Sequence, residues 1–209
     1  MTAIVYVDGF NLYYGALKGT AYKWLDLPAL CRRLVPDEPI AAIRYFTARV
    51  KARPGETEGP KRQDAYLRAL GTCPQVSIHY GQFLVTYPRM TLKHPAPDGP
   101  RTVEVVKTEE KGTDVNLGSH VLLDAFDRAC DLAVMIGNDS DLVMPLSMAK
   151  ERFGTRIGLI NPQKFASKEL QKIGVEFVKP VRPGMLAACQ FPAKVPLGRS
   201  GFVRKPEGW

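Results

Sequence analysis

The apolar positions of this chain alternate between the two periods that mark strands and helices. Thr2 to Val7 is a short β-branched run that stops at Asp8-Gly9, and it reads as a strand. A helix is expected to begin near Asn11. Another is expected near Asp26, where Leu27, Leu30, Leu34 and Val35 recur at helical spacing. Pro36 and Pro39 break that pattern, and Ile40 to Val50 returns to an extended one. Lys51 to Pro60 is a loop rich in Pro, Gly and charge. Lys61 to Gly71 reads as a helix presenting Ala65, Leu67, Ala69 and Leu70. Val76 to Tyr87 and Thr102 to Lys107 are extended and can pair as a hairpin around the Pro-rich stretch Pro88 to Pro100. A structureless loop of that length inside a compact domain is usually functional or mobile.

The second half repeats a strand–helix alternation. Asp114 to Phe126 is a helix with Leu117, Val121, Leu122 and Ala125 on its apolar face. Leu132 to Ile136 is continuously apolar, the signature of a strand buried on both faces. Leu142 to Phe153 is helical, Gly154 fits its C-terminus, and Arg156 to Ile160 is a strand. Phe165 to Ile173 is a helix ending at Gly174, and Val175 to Val178 is a last strand. From Pro180 onward Pro, Gly and basic residues dominate. The expectation is an α/β chain: a three-layer α/β/α sandwich with a central, mostly parallel sheet and a β-hairpin insertion over residues 1–180. An extended basic C-terminal tail over 181–209 would follow. No internal repeat is visible.

In such sheets ligands bind beyond the carboxyl ends of the strands. Asp8 directly follows the first strand, and Asp139 and Asp141 directly follow Leu132–Ile136 in Gly137-Asn138-Asp139-Ser140-Asp141. Asp114 opens the helix before that strand. Crowded carboxylates repel and raise one another's pKa unless a cation sits among them. Hard divalent ions take oxygen ligands and leave room for water and phosphate, so a set without conspicuous His or Cys fits Mg²⁺ or Mn²⁺. One such ion can activate water and a second can stabilise a leaving oxygen. Taken singly, each residue has a plainer reading: Asp8-Gly9 as a turn, the other acids as helix caps.

Composition narrows the setting. The chain has 209 residues, 45% hydrophobic, enough for one well-buried core. No segment approaches the roughly 20 apolar residues of a membrane span. The N-terminus shows neither a basic n-region nor a small-residue cleavage pattern, so a cytoplasmic protein without a signal peptide is expected. Cys31, Cys73, Cys130 and Cys189 form no Cys-x-x-Cys pair, so the expectation is reduced thiols rather than a structural zinc site. The formal charge of +8 favours an anionic partner. Arg44, Arg49, Lys51, Arg53, Lys61 and Arg62 cluster in the first half, and Lys194, Arg199, Arg204 and Lys205 mark the tail. An acidic centre in basic surroundings suits a phosphate backbone held beside a metal.

Three segments carry more than spacing. Tyr6-Val7-Asp8-Gly9-Phe10-Asn11-Leu12-Tyr13-Tyr14-Gly15 resembles the opening motif of NYN-domain proteins. Lys111-Gly112-Thr113-Asp114-Val115-Asn116-Leu117 resembles their second motif, and Ile136-Gly137-Asn138-Asp139-Ser140-Asp141-Leu142 their third. The resemblance spans Ala3 to Val178. It implies a PIN-like fold, Mg²⁺ or Mn²⁺ dependence and RNA cleavage, with Asp8, Asp114, Asp139 and Asp141 as metal-binding and catalytic residues. Asn11 would orient a carboxylate or phosphate, and Asn138 and Ser140 would shape the acidic turn. Many LabA-like relatives carry a further Asp six residues after the second-motif Asp; His120 stands there, and a half-buried structural role suits it better than ligation. Asp124 is too far along the same helix to share an ion with Asp114. Lys111 and Lys107 are candidate phosphate contacts, and Tyr14 can stack a base of single-stranded RNA. Phe191, Phe202 and Trp209 either stack bases, pack on the domain or meet a second copy in a homodimer. The alternative function is a non-catalytic RNA-binding or regulatory module. A haloacid-dehalogenase-like phosphatase would want Asp-x-Asp, and Asp8-Gly9-Phe10 lacks the second acid.

Overall fold

A computed structural model describes residues 2–52, 57–198 and 201–209. Arg53 and Arg199, counted above among the basic clusters, lie outside the described residues. The centre is a six-stranded sheet in the order β10-β9-β8-β1-β2-β3. Its strands are β1 (Ala3–Asp8), β2 (Ile40–Thr47), β3 (Val76–Tyr80), β8 (Leu132–Ile136), β9 (Arg156–Asn161) and β10 (Phe177–Pro180). Every pairing within it is parallel. Helices cover both faces, giving the three-layer sandwich.

β1 is buried along its whole length, and its side chains divide by parity. Ala3, Val5 and Val7 enter one core with Leu27, Leu30 and Leu34 of α2 (Leu27–Leu34) and Tyr66, Leu67 and Leu70 of α3 (Glu58–Leu70). Ile4 and Tyr6 enter the other with Leu117, Val121 and Ala125 of α4 (Thr113–Phe126) and Leu146 and Ala149 of α5 (Val143–Phe153). In this second layer Asp124 is clamped by Arg44 through two bonds of 2.7 and 2.6 Å and accepts the Tyr6 hydroxyl at 2.7 Å. Asp124 is therefore a packing element, away from the carboxylate edge.

Several elements differ from the sequence pattern. The first helix begins at Gly9: α1 (Gly9–Leu12) runs into a π-turn over Tyr13–Leu17. The run Val76 to Tyr87 breaks at Gly81. β3 stays in the main sheet, whereas β4 (Gln82–Thr86) leaves it to pair antiparallel with β7 (Lys107–Lys111). The Pro-rich stretch is not structureless. β5 (Arg89–Thr91) pairs with β6 (Thr102–Glu104), which extends the hairpin insertion into an arm. The helix expected from Phe165 shortens to α6 (Lys168–Gln171).

The extended tail is also corrected. Residues after Pro180 form α7 (Pro183–Ala188) and a hairpin of β11 (Lys194–Pro196) and β12 (Phe202–Arg204). Leu186, Cys189, Val195 and Val203 are buried in the first core. The Trp24 indole donates to Pro192 O at 2.9 Å, and Trp209 packs 6.5 Å from Trp24 and 6.2 Å from Tyr66. Those apolar residues are too widely spaced among Pro and Gly to show a period, so only the docking surface reveals them. All four cysteines are free. Among the described residues no helix is long and apolar enough to cross a membrane.

Candidate active site

β1 and β8 are neighbours, with Val7 in register with Ile136. Their carboxyl ends therefore bring Asp8 beside the Gly137–Asp141 turn, and a Cβ built on Gly137 would lie 3.3 Å from the Asp8 Cβ. Asp8 is buried, with 4% of its surface exposed. It caps α1 by accepting the Asn11 N–H at 2.8 Å on Oδ1. Burial pushes its carboxyl up to about 6, with further increments from Asp114 and Asp139; the backbone bonds from Asn11 and Phe10 pull the other way. The Asp114 carboxyl is raised too, first by burial and then by Asp139, Glu110 and Asp141. The structure thus sets Asp139 against both Asp8 and Asp114, and Asp141 against Asp114, as like charges at one edge of the sheet.

Local geometry sets each member. Gly9 admits no side chain, because a Cβ there would lie 2.7 Å from Phe46 O. Gly112 takes φ +91° to turn the chain from β7 into α4, which delivers Asp114 to the first helical turn. Asp139 caps the 3₁₀ turn Ser140–Leu142 by accepting the Asp141 N–H at 3.0 Å. Ser140 and Asp141 are exposed, whereas Asp139 and Asp114 are partly buried.

An amide chain borders the acids. Asn138 donates to Gln163 Oε1 (3.1 Å) and to Phe165 O (2.9 Å), and accepts the Ser167 N–H (2.6 Å). Gln163 Nε2 donates to Asn11 Oδ1 at 3.1 Å. The two asparagines of the motifs are thereby tied through a residue that sequence reasoning did not single out.

Glu110 is a second addition. Its carboxylate accepts the Thr113 N–H at 3.0 Å and the Thr113 hydroxyl, so it holds the start of α4. It faces Asp114 electrostatically. The signal available in sequence was its place four residues before Asp114, masked by neighbouring charges. Strand alternation puts Lys107, Glu109 and Lys111 on the opposite side of β7 from Glu110. Both lysines face Glu109, at 2.8 and 3.8 Å. Tyr14 is exposed, edge-on to Tyr13 at 5.2 Å, with Lys18 Nζ 4.8 Å above it. His120 is partly buried, 4.2 Å from the His79 ring and 5.5 Å from Phe46, and belongs to that stack.

The sequence profile of the NYN domain matches residues 2–180. The chain belongs to the NYN domain family. NYN domains form part of a nuclease superfamily. Across its length the chain is also 32% identical to 6-hydroxy-3-succinoylpyridine 3-monooxygenase HspA of Pseudomonas putida, over 98% of this chain and 74% of that protein. The crystal structure of a protein of unknown function from Vibrio parahaemolyticus shares the fold, with a TM-score of 0.54 at 14% identity, over 87% of this chain and 93% of that one.

The candidate site offers oxygen donors of like charge, one of them buried, the donor type a hard cation would take. Among the described residues no three of His, Cys, Asp and Glu already stand in a ligating cluster. The donor types fit Mg²⁺ or Mn²⁺, ions whose shells are commonly completed by water and phosphate.

Proposed function

We propose that this NYN protein is a metal-dependent ribonuclease that hydrolyses phosphodiester bonds of single-stranded RNA, leaving a 5′-phosphate and a 3′-hydroxyl. The observation that carries this reading is the buried Asp8 carboxyl, raised to about 6 and facing Asp114 and Asp139 from separate stretches of chain. Asp8, Asp114, Asp139 and Asp141 would hold Mg²⁺ or Mn²⁺. When bound, the cation lowers the pKa of water and offsets charge on the phosphate. The chain's residues do the positioning. The Asn11 N–H fixes one Asp8 oxygen. Asn138 pins the acidic turn to the 163–167 segment. Ser140, exposed at that turn, would meet the substrate backbone. Lys107 and Lys111 add positive charge along β7 for phosphates to follow.

Labelled single-stranded RNA incubated with Mn²⁺ should be cleaved by wild type and spared by Asp8→Asn and Asp139→Asn. Equal cleavage by all three would place the activity elsewhere. Metal-independent RNA retention without products would favour the non-catalytic binding module.

The Pseudomonas putida relative favours a second reading, oxygenation of 6-hydroxy-3-succinoylpyridine or a similar pyridine, because the identity extends over 98% of this chain. That reaction consumes O₂ and two electrons from a reductant. Oxygen uptake that depends on the pyridine and on a reductant, with RNA left intact, would select it over hydrolysis.

A further inference from the structure

Phe165 is 75% exposed and Tyr14 is 62% exposed, and both border the 162–163 segment, which Gln163 ties to Asn11 and Asn138. Their chain segments meet at Gln163. Gly15, next to Tyr14, packs so closely on the 162–163 backbone that a Cβ there would lie 3.0 Å from Pro162 O and from Gln163 Cγ. Phe165 follows Gln163 by two residues, and its carbonyl accepts from Asn138 of the acidic turn. A cation stands over each ring: Lys18 Nζ at 4.8 Å from the Tyr14 centroid and Lys164 Nζ at 5.3 Å from that of Phe165.

We propose that Tyr14 and Phe165 flank a nucleobase-binding subsite for single-stranded nucleic acid, with Gln163 between them as the group that meets the base edge. The proposal rests on the nuclease reading for its substrate class and extends it to where the bases go. An exposed aromatic ring stacks a base regardless of sequence, and a nearby cation matches the phosphate that accompanies each base. Gln163 spends one N–H on Asn11 and one lone pair on Asn138. One donor and one acceptor then remain, the complement of a base edge. The amide chain from Asn11 through Gln163 to Asn138 makes the subsite continuous with the carboxylates, so a stacked base sets which phosphate reaches them.

The test is fluorescence anisotropy in EDTA with a labelled eight-nucleotide single-stranded RNA and an abasic ribose–phosphate oligomer of equal length. Phe165→Ala and Tyr14→Ala should each bind the RNA about tenfold more weakly than wild type. Phe165→Tyr should bind nearly as wild type, and all four proteins should bind the abasic oligomer alike. Both rings are exposed, and matching thermal melts check that the fold is unchanged. Unaltered RNA binding by Phe165→Ala and Tyr14→Ala, equal losses on the abasic oligomer, or no RNA binding by wild type overturns the subsite. Because the assay contains no cleavage step, the two readings separate. The predicted binding pattern without Mn²⁺-dependent cleavage keeps the subsite and removes the nuclease. Cleavage with unaltered binding by the alanine variants does the reverse.

Discussion

Asp8→Asn should make the protein more stable at neutral pH while abolishing its activity. An ordinary Asp titrates near 3.8, whereas buried Asp8 is raised to about 6. Between these values the folded state keeps a proton that the unfolded state has lost. The stabilisation is complete below 3.8 and is lost as pH rises through 6, so above 6 the carboxylate works against the fold. At about 1.4 kcal/mol per pH unit the cost at pH 7.5 is about 3 kcal/mol. Asparagine removes the charge and still accepts the Asn11 N–H, since Asn caps helices about as well as Asp. Allowing for relaxation around the amide, the expected gain is about 1–3 kcal/mol, or roughly 3–8 °C for a chain of this size. The assay is thermal denaturation in EDTA from pH 4 to 8. The variant should melt higher at pH 7.5, and the difference should shrink toward zero near pH 4. Mn²⁺ should close the gap from the other side by stabilising wild type, about 2.7 kcal/mol at a hundred times its Kd, without stabilising the variant. A variant that melts below wild type at pH 7.5, or a difference that ignores pH, would refute the electrostatic account of the site.

Other expectations follow from groups outside the acids. Asp124→Ala removes the partner of both Arg44 and Tyr6 in the second core, and should cost about 3–5 kcal/mol in a urea titration; a loss within error of zero would mean that the clamp is dispensable. Burial, then His120 and Arg44, lower His79 to about 4 from the usual 6.5. Neutral His79 therefore supports the fold above 6.5, and that support is lost as pH falls toward 4, a slope opposite to that of Asp8. In an Asp8→Asn background, where the opposing slope is gone, His79→Phe should flatten the acid limb of the melting profile; unchanged slopes would contradict this. Truncation after Pro180 should yield a chain without near-ultraviolet circular dichroism, because Leu186, Val195 and Val203 each contribute about 1.5–3 kcal/mol of burial. A truncated chain with a cooperative melt close to wild type would show that the C-terminal segment is an accessory.

Much of the fold and the acidic edge was legible because both depend on local pattern. A β-branched run ending in Asp-Gly and an apolar run ending in Gly-Asn-Asp-Ser-Asp are strand ends wherever they occur, and parallel topology sends such ends to one edge. What was not legible depends on distant partners. Val76 to Tyr87 reads as one extended run whose apolar phase shifts at Gly81, from Val76, Ile78 and Tyr80 to Phe83, Val85 and Tyr87; the shift marks a break but does not say that β3 belongs to β2 and β4 to β7. Gly81 marks the break because its N–H is held by Thr47 O at 2.8 Å, across the sheet. Glu110 sits among Lys107, Glu109 and Lys111 and reads as surface charge until β7 is paired and its two faces are assigned. The C-terminal segment docks through isolated apolar residues on a surface that α2 and α3 create only after folding.

The distribution of burial also gives the site a direction. Asp8 lies at its floor, Asp114 and Asp139 are partly covered, and Ser140 and Asp141 are exposed. The floor is fixed twice, by the cap on α1 and by the neighbouring strands, so it has little freedom to move toward a ligand. The rim is exposed, with Asp141 on the three-residue 3₁₀ turn that Asp139 caps. On the nuclease reading, a cation entering from solvent would meet the exposed acids first and the buried one last, relieving the repulsion around Asp8 only at the floor. On one flank the hairpin insertion is braced by Phe83 against Phe10, with ring centroids 5.7 Å apart. On the other, Gln163 and Phe165 adjoin the acidic turn. On that reading, a chain of phosphates attracted by the net charge of +8 would meet negative charge at one point and aromatic or cationic surface around it. Flanking rings and lysines would hold a strand without metal, and a cation among the carboxylates would offset their repulsion of the phosphate, so metal occupancy would tighten strand binding.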